Sequence, residues 1–109
     1  MVQHPGIINL YVIRLDSAIL NDAAFIARNP RYVPGKPCYY VGSSIYEPEE
    51  RFRQHKTGGP SCPKVKKHGL RVVTGKCRKV YTTNSNVAQA EEAAYADELR
   101  AQGCGVWQY

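Results

Sequence analysis

The run Ile7-Ile8-Asn9-Leu10-Tyr11-Val12-Ile13-Arg14-Leu15 is the strongest constraint on what this chain can become. It is rich in β-formers and apolar at both odd and even positions, as a strand covered on both faces would be. A chain of 109 residues has room for one such sheet and helices over it. The fold class predicted is therefore a small α/β (α+β) domain, 1–109, whose central three-stranded, mostly antiparallel sheet is flanked by helices.

The other elements follow from punctuation. Asp16 to Pro37 reads as an excursion, in which Asp16 or Ser17 caps a short helix through Ala18–Ala27 that Asn29-Pro30 stops. Pro34-Gly35-Lys36-Pro37 is turn chemistry, and Cys38-Tyr39-Tyr40-Val41-Gly42 is a second strand. A helix follows over about Pro48 to Lys56, with proline at its first position and Glu49 and Glu50 in the first turn. Gly58-Gly59-Pro60 ends it. Lys64–His68 reads as a short helix closed by Gly69, and Leu70–Val73 and Arg78–Thr82 are strand candidates. An alanine-rich helix spans about Asn86 to Gln102 and stops at Gly103.

Charge points to a partner. Net charge is +6, and from Thr57 to Ala90 there is no Asp or Glu. That stretch holds Lys64, Lys66, Lys67, Arg71, Lys76, Arg78 and Lys79, a one-sign field suited to a polyanion such as nucleic acid. A merely solvated basic face is the plainer alternative. Met1 to Pro5 leads into a strand without a signal-like apolar stretch, and no segment has the ~20 apolar residues of a membrane helix. The expectation is a cytoplasmic protein with no membrane contact. Cys38, Cys62, Cys77 and Cys104 form no C-x-x-C pair, so buried, reduced thiols are expected ahead of a zinc site.

Five residues stand out chemically. On the last helix Glu92 shares a face with Ala88, Tyr95, Ala96 and Leu99, where a carboxylate needs a cation or donors. A buried pair with arginine and a metal ligand are both open readings. Arg51 and His55 are four apart and stack on one helix face, as a phosphate clamp would require and as two solvated side chains would also do. Tyr11 and Tyr40 are ordinary strand residues unless nearby cations lower a phenol far enough to act as a base.

Taken in order, these residues resemble the GIY-YIG nuclease family, in particular its small single-domain bacterial members. The first motif would be Asn9-Leu10-Tyr11, keeping only the tyrosine, and the second is Tyr40-Val41-Gly42 followed by Ser43-Ser44. Arg51-Phe52-Arg53-Gln54-His55 matches the helix motif, and Glu92 in Ala90-Glu91-Glu92-Ala93-Ala94-Tyr95-Ala96 matches the metal-binding glutamate. The resemblance spans Leu10 to Trp107. It departs in three ways: the first motif is degenerate, the insertion at about 16–37 lengthens the gap between the tyrosine strands, and a late Asn is not evident, with Gln108 and Asn86 poor substitutes.

The resemblance implies an endonuclease hydrolysing phosphodiester bonds, in DNA ahead of RNA, with one Mg²⁺ or Mn²⁺ held by Glu92. It implies catalytic roles for Tyr11 as base, Tyr40 and His55 as orienting or relay groups, and Arg51 as charge neutraliser. The seven basic residues would hold the backbone without reading sequence. The five site residues should then converge on one open concave surface. The alternatives are a non-catalytic nucleic-acid-binding module that keeps the fold, or a nuclease subunit that depends on a protein partner.

Overall fold

The computed structural model describes residues 6–58 and 62–108. Met1 to Pro5, and Gly59 and Pro60 of the expected helix stop, lie outside the described residues. The described residues fold as an α+β domain with a mixed five-stranded sheet and four α-helices. Strand β1 (Ile7–Leu15) is central. It pairs antiparallel with β2 (Cys38–Ser44) on one side. On its other side it takes two short antiparallel strands end to end: β3 (Gly69–Val72) pairs with its C-terminal part and β4 (Arg78–Tyr81) with its N-terminal part. The three-strand expectation is therefore corrected to five. The fifth strand, β5 (Gly105–Gln108), runs parallel to β2 and pairs Cys38 through Val41.

The alternation of β1 sends its two faces into different layers. Tyr11, Ile13 and Leu15, with Cys38, Tyr40 and Val72, pack beneath Ile19, Phe25, Cys62 and Val65. Leu10 and Val12, with Tyr39, Val41 and Val106, pack against Tyr95, Ala96 and Leu99 of α4 (Ser85–Ala101). Hence α4 covers one face, while α1 (Ala23–Arg28), α2 (Pro48–Thr57) and α3 (Pro63–His68) serve the other.

The insertion is not a plain surface loop. The expected single helix splits into a 3-10 turn at Ser17–Asn21, capped by Asp16, and α1, capped by Asp22. Ile19 and Phe25 are fully buried. Asn29, also buried, accepts the Val106 N–H at 2.8 Å and donates to the carbonyls of Val106 and Phe25. An element that supplies core side chains and edge hydrogen bonds to β5 is part of the fold. Helix α2 ends as its sequence requires, at Gly58 with φ +89°.

All four cysteines are free thiols, three of them buried and Cys77 half-buried. No described helix is long and apolar enough to cross a membrane.

Candidate active site

Tyr11 and Tyr40 lie on the same face of neighbouring strands, because Tyr11 pairs with Gly42 and Tyr40 with Ile13. Their ring centroids are 5.9 Å apart. Gly42 makes this possible. A Cβ there would stand 2.5 Å from Tyr11 Cζ and 2.8 Å from Tyr40 Cε1, so the Tyr11 phenol lies across a position that only glycine leaves open. The glycine after the second tyrosine is thus a packing requirement of the first.

His55 enters from α2, with its ring 5.5 Å from Tyr40 and 5.9 Å from Tyr11. Its Nε2 is 2.9 Å from Tyr11 Oη. The Cys62 backbone N–H donates to Nδ1 at 3.2 Å, so the neutral ring carries its proton on Nε2 and donates it to Tyr11. Burial, reinforced by the charge of Arg51, lowers the His55 pKa to about 4. At neutral pH the ring is uncharged and orients the phenol.

Burial raises the Tyr11 pKa, which keeps it a phenol at neutral pH. Opposing that, hydrogen bonding from Tyr40 and then the charge and hydrogen bonding of Arg51 favour the phenolate. Tyr40 is pushed well up, first by burial and then by Tyr11, so it is the donor of the pair. Arg51 is half-buried and donates to Gln54 Oε1 at 3.0 Å.

Glu92 comes from the other layer. It is buried, as expected from its helix face beside Ala88, Tyr95, Ala96 and Leu99. The first turns of α4 border the end of β2, where Ser85, Ala88 and Gln89 line a shallow cleft with Ile8, Ser43 and Ser44. One helical turn further on, the negative charge of Glu92 acts on both Tyr11 and Tyr40, and raises both phenols. So Tyr40, Arg51 and Glu92 all act electrostatically on Tyr11, and His55 is in hydrogen-bond contact with it. The open concave surface expected from the sequence is not what they form. Tyr11, Tyr40, His55 and Glu92 are all 5% exposed or less, and Arg51 is the member with solvent beside it.

Among the described residues no group of three His, Cys, Asp or Glu gathers, so nothing resembles a zinc cage. A buried carboxylate whose charge is felt by two phenols has the oxygen chemistry that hard cations such as Mg²⁺ or Mn²⁺ take.

The basic residues divide. Lys64 is tied to Asp22 at 2.7 Å and lies over the Trp107 ring, which Arg28 also covers. Arg78 pairs with Glu98 and stacks on Tyr95, and Lys76 sits over Tyr39. These three have structural duties. Lys66, Lys67, Arg71 and Lys79 are exposed. They do not form one patch: Lys66 and Lys67 are on α3, Arg71 pairs with Arg14 on the α4 face, and Lys79 pairs with Asn9 on the Tyr11 face.

Sequence reasoning missed Asn9, read only as a lost motif glycine. It is buried, and its Nδ2 donates to the Tyr46 carbonyl at 2.9 Å, fixing the loop that follows β2. It also missed the Cys62 N–H that sets the His55 tautomer, for which the sequence carries no signal. No protein-family model, no curated protein and no solved structure matches this chain.

Proposed function

We propose that this protein is a metal-dependent nuclease of the GIY-YIG kind, hydrolysing phosphodiester bonds in nucleic acid with Tyr11 as the proton acceptor. The observation that carries this reading is the convergence on Tyr11 Oη of a histidine N–H, a second phenol and an arginine. A buried phenol ringed by three donors or cations is poorly explained by packing, since a phenylalanine would fill the space without needing partners. It is well explained as a base whose phenolate, once formed, finds its donors already in place.

In this reading the Tyr11 phenol first releases its own proton to solvent, and the resulting phenolate is held by the Nε2–H of His55, the Tyr40 hydroxyl and Arg51. The phenolate then takes the proton of the attacking water and returns to the neutral phenol. Arg51 neutralises a non-bridging phosphate oxygen from the solvent side. Glu92 would hold the Mg²⁺ or Mn²⁺, which when bound supplies positive charge to the phosphate and the leaving 3′-oxygen. Lys66, Lys67 and Lys79, all exposed, would hold backbone phosphates. DNA is the preferred substrate in this reading, with RNA second.

Incubating the purified protein with labelled duplex, single-stranded and branched DNA and RNA, in Mg²⁺, Mn²⁺ or EDTA, tests the proposal. Cleavage in either metal and none in EDTA is expected. Tight binding with no cleavage of any substrate would assign the chain to the non-catalytic binding modules instead.

A further inference from the structure

The face of the sheet that carries Tyr11 is only partly roofed. From Asn9 to Leu15 the β1 side chains on it are buried, but Ile7 beyond them and the β4 residues Lys79 and Tyr81 beside them are exposed. The register lays out that end in rows. Tyr11 stands opposite Gly42; the next row holds Asn9 between Ser44 and Lys79; the row beyond pairs Ile7 with Tyr81. Residues two apart on a strand share a face, so these rows continue the Tyr11 surface at steps of about 7 Å.

The outer rows are open. Tyr81 is 66% exposed and Ile7 43% exposed, and Lys79 is exposed between Tyr81 and the Tyr11 row. Tyr46, 48% exposed, borders the middle row, because its carbonyl takes the Asn9 amide and its N–H donates to Ser44 Oγ. The rows contain one exposed phenol, Tyr81, and one exposed lysine, with a second exposed phenol, Tyr46, at their border and no acid among them, in a chain of net charge +6. Solvent-facing aromatics on a sheet beside a cation are the usual platform on which unpaired bases stack, and each stacked base is worth about 1–3 kcal/mol. Paired bases in a duplex hide the faces such a ring needs.

We propose that this open end of the sheet binds a single-stranded segment of nucleic acid, with a base stacked on Tyr81 and a backbone phosphate on Lys79. Tyr46 flanks the same strand at the rim. The proposal deepens the nuclease reading, since the platform lies on the Tyr11 face two rows from the phenol, and names its substrate as a strand unpaired beside the scissile phosphate.

The test is equilibrium binding of the full chain in EDTA, so that it does not depend on cleavage. The probes are a fluorescent oligo-dT strand, the same strand annealed to oligo-dA, and a strand of equal length built from abasic spacers. Wild-type protein should prefer oligo-dT over both. Tyr81→Ala should weaken oligo-dT binding roughly 5- to 150-fold, leave the abasic strand unchanged, and leave the melting temperature unchanged because the ring is exposed. Tyr81→Phe should restore oligo-dT binding. Lys79→Gln should reduce the slope of log K against log salt for the single strand by about 0.7. Unchanged oligo-dT affinity in Tyr81→Ala, or equal losses on all three probes, would overturn the platform. It would leave this face to a protein partner. Intact base-dependent binding without any cleavage in metal would instead sink the nuclease reading and keep the platform.

Discussion

The odd and even residues of β1 are alike in composition and unlike in company. Leu10 and Val12 meet Tyr39, Val41, Ala96 and Leu99, a largely apolar layer where α4 packs on the sheet. Tyr11, on the other face, meets Tyr40 and His55 among Ile13, Leu15, Phe25 and Val65. Both layers are equally closed to water, so burial alone does not separate them. The difference is that one layer holds hydroxyl and imidazole groups that hydrogen-bond one another inside the core. Polar groups are retained in a core at a cost in desolvation, a cost the proposed chemistry would account for. Stability and activity should therefore dissociate across the thickness of one sheet.

Substitutions on the two faces make the contrast measurable. Tyr11→Phe should lower cleavage by about 10²–10⁴-fold. Its stability cost should be only about 1–3 kcal/mol, from leaving the His55 N–H without its acceptor. Leu99→Ala should do the reverse, costing about 2–5 kcal/mol in urea unfolding while leaving the rate per folded molecule unchanged. Equal effects of the two substitutions on rate would erase the distinction.

Acid should be felt through the Tyr11 layer. His55 is neutral in the fold down to about pH 4, whereas in the unfolded chain it takes a proton near 6.5. Its contribution is complete above pH 6.5 and is lost as pH falls toward 4, because the unfolded state binds the proton first. The gap amounts to roughly 3 kcal/mol. Urea unfolding at several pH values should show that loss, and His55→Gln should remove it. Gly42→Ala should cost about 1–3 kcal/mol, since the added methyl meets the Tyr11 ring. Smallest of all, Lys66→Gln with Lys67→Gln should flatten the salt dependence of duplex binding by up to about 2 in slope. Lys64→Gln should act mainly on stability, through Asp22 and Trp107.

Much of this organisation was legible in the sequence. The two-sided apolarity of Ile7–Leu15 announced a central strand, and Pro48, Gly58 and the Ala88–Leu99 face set helices within a residue or two of their places. The buried face of Glu92 followed from helical spacing alone. β5 was not legible, because four residues carry too little periodicity and its partner, β2, is more than sixty positions away in sequence. The insertion misled for a related reason. Its turns and short helices read as surface, and only the packing of Ile19 and Phe25 and the hydrogen bonds of Asn29 reveal it as core. The site residues were named individually, yet that their cluster is closed and that Arg51 is its solvent-side member depend on tertiary contacts.

Glu92 carries the central claim, since it lies in the apolar α4 layer and is assigned to the chemistry of the opposite face. The most direct measurement compares Glu92→Gln with Glu91→Gln, its exposed neighbour, in cleavage assays with Mg²⁺, Mn²⁺ and EDTA and in binding assays on the same substrates. Glu92→Gln should abolish metal-dependent cleavage while the protein stays folded and keeps its affinity, and Glu91→Gln should cleave as the wild type does. Wild-type cleavage by a folded Glu92→Gln protein would contradict the account.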